Sequence, residues 1–166
     1  MSDAQNQTMT EFVYVTYITS TPQKVWDAIT TPEFTRQYWA RNIVSDWKPG
    51  SKWDMERIDG TNTVNVTGEV LESHAPNRLV LSWVNPENVG NRNEYSRVTF
   101  EIETMGDVVR LKLIHDRLVA GSEMAQGIAG GWPMVLSGLK SFLETGTAPN
   151  IMSIKGCTDP QQAKVA

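Results

Sequence analysis

Four side chains close to the ends of two adjacent strand-like runs carry the strongest hint of chemistry in this 166-residue sequence. Val98, Phe100 and Ile102 alternate along one run, and Val109, Leu111 and Leu113 along the next, with Met105-Gly106-Asp107 between them. A turn centred on Gly106-Asp107 is expected to set Ile102 opposite Val109, Phe100 opposite Leu111 and Val98 opposite Leu113. Extending that ladder places Ser96 opposite His115 and Glu94 opposite Arg117, all on one inner face. An inward imidazole beside an inward carboxylate could form an acid–base pair, its pKa tuned by burial. The same residues also make a plain structural set. In it Glu94 pairs with Arg117, and His115 hydrogen-bonds to Ser96 at the polar end of an apolar surface. The plain reading is preferred, and no catalytic residue is assigned.

Other chemistries find no support. Two histidines and one cysteine lie far apart in sequence and form no recognised metal-binding spacing, so no metal is expected. No phosphate-binding Gly-Lys-Ser loop, dinucleotide glycine pattern or Gly-x-Ser-x-Gly elbow occurs, and no cofactor is expected. Fifteen basic residues against nineteen acidic ones give a net charge of −4 with no basic cluster, which argues against a nucleic-acid partner. The lone Cys157 suits a reducing compartment. Neither a membrane span nor a secretion signal is expected, since no apolar run approaches ~18 residues and MSDAQNQTMTE lacks a basic and apolar leader. A cytoplasmic protein is the expectation.

The elements that position these residues can be read in order. Residues 1–10 are polar and expected to be flexible. FVYVTYIT, Phe12 to Thr19, reads as a strand. Two short helices follow, one entered through Ser20 or Thr21 and Pro22, the other through Thr31 and Pro32 and ending near Tyr38. Strands are expected over about 41–47, 51–58, 62–73, 78–84, 94–104 and 108–117, with PENVGNRN as a longer polar loop. Met124, Ile128, Trp132, Val135, Leu136, Leu139, Phe142 and Leu143 recur at helical spacing in a final helix stopped by Gly146. Gly127, Gly130, Gly131 and Pro133 weaken its first part, at ~1 kcal/mol per interior glycine and ~3 for an interior proline. Three forms follow: a start near Trp132, a kink there, or a separate turn from Ser122. A long helix with a loosened first part is preferred. Residues 147–166 show no periodicity and read as a flexible tail, leaving 11–146 as one domain.

The large residues fall on the inner side. Trp53 and Met55 share a face of one strand, and Leu79, Leu81 and Trp83 share a face of another. Such rings either fill a core or line a pocket, and Met124 and Met134 suit an adaptable one. Trp39, after the second short helix, either gates such a pocket or anchors the helix pair to the sheet, and Tyr38 and Trp47 are equally open between the two.

Several stretches in this order resemble a known family: TPQKVWDAITTPEFTRQYW, WKPGSKWDM, GEVLESHAPNRLVLSW and GGWPMVLSGLKSFLETG. Together they are similar to the SRPBCC (START-like) superfamily, in the branch homologous to the C-terminal domain of the activator of heat-shock protein 90 ATPase. Pro49-Gly50-Ser51 stands where many relatives carry a double glycine. The resemblance spans about residues 11–146 and implies an α+β helix-grip fold. In that fold a curved antiparallel sheet of six or seven strands wraps around a long C-terminal helix, with two short helices after the first strand. It also implies a cavity between sheet and helix. Here that cavity would be lined by Trp39, Trp53, Met55, Trp83, Glu94, Ser96, Val98, Phe100, Leu113, His115, Arg117, Met124, Ile128, Trp132 and Leu136. The function implied is non-enzymatic binding of a small apolar or amphipathic molecule. Alternatives are a cyclase- or hydrolase-type enzyme using the polar cavity residues, and a chaperone-associated interaction module; a homodimer is permitted.

Overall fold

A computed structural model describes residues 7–153. The element order is β1 (Met9–Ile18), α1 (Pro22–Thr30), α2 (Pro32–Tyr38), β2 (Arg41–Val44), β3 (Lys52–Arg57), β4 (Val64–His74), β5 (Arg78–Trp83), β6 (Ser96–Met105), β7 (Val108–Val119) and α3 (Glu123–Thr145). The strands form one antiparallel seven-stranded sheet in the order β1-β7-β6-β5-β4-β3-β2. The expected α+β helix-grip architecture is the observed one.

Local chemistry explains the helix ends. Thr21 Oγ1 accepts the Lys24 N–H at the start of α1, and Pro22 and Pro32 open α1 and α2 where a missing N–H costs nothing. Ser122 Oγ accepts the Ala125 N–H at 3.1 Å to cap α3, and Gly146 ends it at φ +80°. Within α3 the helix is continuous through its glycines and Pro133, so neither the late start nor the separate turn occurs.

The strand ladder departs from expectation in two places. First, Ile102 lies opposite Leu111, Phe100 opposite Leu113 and Val98 opposite His115. The turn falls at Gly106-Asp107 as expected, but it is a two-residue turn closed by Met105 and Val108, so each expected partner is displaced by two residues. An even displacement leaves every side chain on its expected face. Second, Phe12 pairs with His115 but Thr10 with Leu118, so β7 carries one extra residue there. Arg117, at φ +58°, takes up that bulge. Leu118 turns inward in consequence, and Arg117 is exposed rather than inward. Glu94 belongs to a short 3-10 turn before β6, not to the strand, and among the described residues no ion pair joins it to Arg117.

Strand β1 starts at Met9, two residues before the expected domain boundary. The chain after Gly146 folds back instead of leaving the surface. Ser141 Oγ donates to the Thr147 carbonyl at 2.8 Å, and Ile151 is buried against α3 at Gly138. One apolar anchor in a single turn leaves no periodic signal, so the sequence could not announce it. The remaining stretches expected to be flexible, and Cys157, lie outside the described residues.

Candidate functional site

The inner face of the sheet meets α3 through a set of aromatic rings. Trp83 of β5 lies 5.4 Å from Trp53 of β3 and 5.7 Å from Trp132 of α3, centroid to centroid. Trp132 in turn touches Trp39 at 5.2 Å and meets Phe100 edge-on at 5.8 Å. These separations are those of favourable tilted and edge-to-face pairs. Met55, Val98, Leu113, Ile128 and Leu136 are buried in the same core. The rings fill the space expected to hold a guest: the enclosed void beside Trp39, Trp53, Trp83 and Phe100 is about 10 Å³, room for about one water. Four indoles, those of Trp39, Trp53, Trp83 and Trp132, thus occupy much of the volume between sheet and helix.

Gly68 of β4 makes this packing feasible. It faces Trp53 across the ladder, and a Cβ there would lie 2.6 Å from the indole nitrogen and 2.0 Å from the Ser82 carbonyl oxygen. With no side chain in the way, Trp53 Nε1 reaches across to donate to that carbonyl at 2.8 Å. Tyr38 and Trp47, which the sequence left undecided between gating and anchoring, are anchored by hydrogen bonds to α1. Tyr38 donates its hydroxyl to the Ala28 carbonyl, and Trp47 Nε1 donates to the Thr30 carbonyl, each at 2.8 Å. Their one available signal was residue type, since a buried Tyr or Trp usually finds an acceptor.

His115 sits in the middle of this interior with no exposed surface. Trp132 Nε1–H donates to its Nδ1 at 3.0 Å. An indole can only donate, so Nδ1 is the unprotonated nitrogen and Nε2 carries the hydrogen. Nε2 then donates to Ser96 Oγ at 2.8 Å, and Ser96 is placed to donate onward to the Trp83 carbonyl at 3.4 Å. Every member of the chain is satisfied, and it ties α3 to β7, β6 and β5. Burial pushes the imidazole pKa down to about 3, against a smaller opposing pull from Asp116. His115 is thus a neutral latch, with both nitrogens engaged and no carboxylate partner inside.

A second space lies past the latch. A cleft of about 240 Å³ opens between the β5–β6 connection, the end of β7 and the first turn of α3. Glu94, Ser96, Arg117 and Met124 line it, joined by Asn85, Asn88, Glu87 and Glu123. Four of the expected site residues therefore meet in one place, but in a polar surface cleft rather than inside the barrel of rings. Ser96 belongs to both regions, since its hydroxyl holds His115 while its residue borders the cleft. Among the described residues no cluster of three or more His, Cys, Asp or Glu could hold a metal ion.

Comparison with known proteins places this architecture. A family model described as "Activator of Hsp90 ATPase homolog 1-like protein" matches residues 19–144. The chain belongs to that family. The match runs from the end of β1 to the last turn of α3, and so spans the segments of this chain that carry the latch, the cleft and the aromatic interior. A search of curated proteins finds no match. Among solved structures, the solution structure of the Aha1 dimer from Colwellia psychrerythraea is similar at a TM-score of 0.69 and 19% identity, covering 82% of this chain and 98% of that one. CalU16 from Micromonospora echinospora aligns at a TM-score of 0.64 and 23% identity, over 82% of this chain and 77% of that one. ChR145 from Cytophaga hutchinsonii aligns at 0.63 and 26%, over 81% and 93%. No helix among the described residues is long and apolar enough to cross a membrane.

Proposed function

We propose that this member of the activator of Hsp90 ATPase homolog 1-like family is a non-enzymatic, cytoplasmic binding module for a small amphipathic molecule. The polar end of the guest rests in the cleft beside Glu94, Ser96 and Arg117, and its apolar part takes the place of the Trp132 indole. The observation that carries this reading is where Trp132 is mounted. It plugs the aromatic interior from a helix half holding Gly127, Gly130, Gly131 and Pro133. A Cβ at Gly130 or Gly131 would meet nothing within 4 Å, so close packing does not call for either glycine. Each weakens the helix by ~1 kcal/mol relative to alanine, next to the residue that must move. An acid–base role for His115 has no support, given its burial and its engaged nitrogens. A chaperone-associated role is the second reading, favoured by the family description alone.

The test uses 8-anilinonaphthalene-1-sulfonate, whose fused rings and sulfonate mimic such a guest. The native protein is expected to bind it at the Trp132 site with quenching of indole emission. Trp132→Ala, its far-UV dichroism and cooperative unfolding still native-like, should bind about tenfold or more tightly. Native mass spectrometry of freshly purified protein should show a bound adduct. If the probe binds neither protein and the mass is bare, the reading fails.

A further inference from the structure

The sheet has two edges, and only one is guarded. Edge strands usually carry a lysine or proline, stop short, or bulge away, because a bare edge recruits another strand. β2 is four residues long and begins with Arg41. β1 is ten residues long, MTEFVYVTYI, with no lysine, arginine or proline. The bulge beside it sits on β7, leaving β1 itself regular. Met9, Val13, Val15 and Tyr17 along its outward face are 44–53% exposed. Lys140 Nζ donates to the Tyr17 carbonyl, so α3 closes the edge at that end and, among the described residues, leaves the rest open.

We infer that β1 is a self-association surface, pairing antiparallel with β1 of a second copy about a two-fold axis at Val13. The occupant is argued from self-complementarity. With the axis at Val13, outward side chains meet outward ones: Val13 faces Val13, Glu11 faces Val15, and Met9 faces Tyr17 of the second copy. Any axis between residues would set outer against inner faces. The charges agree with this register. Glu11 is the single charged residue of β1, and Val15, which it faces, has Lys112 as its neighbour on β7. Glu11 of each copy therefore lies about 10 Å from Lys112 of the other, two strands apart, within reach of two long side chains. The strip is one strand wide and well below the about 800 Å² per partner of standard stable complexes, so the dimer is weak and reversible.

Sedimentation velocity over about 1 µM to 1 mM measures it. The native chain is expected to pass from monomer to dimer with a dissociation constant between about 10 and 500 µM. Val13→Lys sets two ammonium groups face to face at the axis and should weaken association about tenfold or more. Glu11→Lys should weaken it severalfold, with the loss smaller at high salt. Val44→Lys on the β2 edge, an exposed site, is the control and should change nothing. A native chain that stays monomeric throughout, or a dimer that Val13→Lys leaves intact, overturns the inference.

Discussion

His115 and Asp116 are neighbours in β7 and point to opposite faces of one sheet. Inside, His115 is neutral, fully buried and held by Trp132 and Ser96. Outside, Asp116 accepts from Arg97 Nε at 2.9 Å across the strand pair and stays partly exposed, within a row that includes Arg78–Glu101 and Arg110–Glu103. Both pKa values fall, for opposite reasons. Burial denies the imidazole its charge, whereas the Arg97 guanidinium helps the carboxylate keep its own. The difference teaches where polar groups matter in this fold. A buried group left without its partner costs far more than an exposed ion pair contributes.

Four expected outcomes follow from that contrast, beginning with the largest. Trp132→Ala removes the central ring and strips the His115 Nδ1 of its donor. A loss of about 3–5 kcal/mol is expected in urea unfolding. A loss under 1 kcal/mol would mean that the interior is not held by the plug.

Acid should act through His115 before it acts through the outer pairs. Below pH 6.5 the unfolded chain binds a proton at this histidine, and the folded protein does not until about pH 3. The stabilisation is fully present above 6.5 and is lost as pH falls through that window, at up to about 1.4 kcal/mol per pH unit. Unfolding curves taken between pH 6.5 and 4.5 should show this slope, and His115→Asn should flatten it.

Gly68→Ala forces Trp53 and the Ser82 backbone apart, with an expected cost of about 1–3 kcal/mol and altered near-UV dichroism from the indoles. A silent substitution would show that the sheet yields there. Asp116→Asn, on the outer face, should cost less than about 1 kcal/mol. That small contribution is present above the ordinary carboxylate pKa and is lost only as pH falls through the lowered one. A loss as large as that of Trp132→Ala would erase the distinction between the faces.

Much of this was legible in the chain. Alternation in β6 and β7, proline at the first position of α1 and α2, and the wide apolar stripe of α3 each reflect a local rule that the fold obeys. The strand faces survived an error of two in register because side-chain direction repeats every two residues. Arg117 did not survive, because its left-handed conformation is imposed by pairing with β1, a hundred residues away in sequence. The candidate site suffered in the same way. Trp53, Trp83, Val98, Phe100, Leu113 and His115 lie inward as alternation predicted, Glu94 and Arg117 do not, and whether the set encloses space was invisible.

The sequence alone determined which alternate side chains of β5, β6 and the regular part of β7 share the inner face, and where helices begin and stop. Those depend on periodicity and on capping within a few residues. Tertiary structure alone decided that four indoles close the interior, that Gly68 clears a path for Trp53, and that Glu94 and Arg117 open into a cleft instead of pairing. Volume and register are sums over strands distant in sequence, and no local pattern encodes a sum.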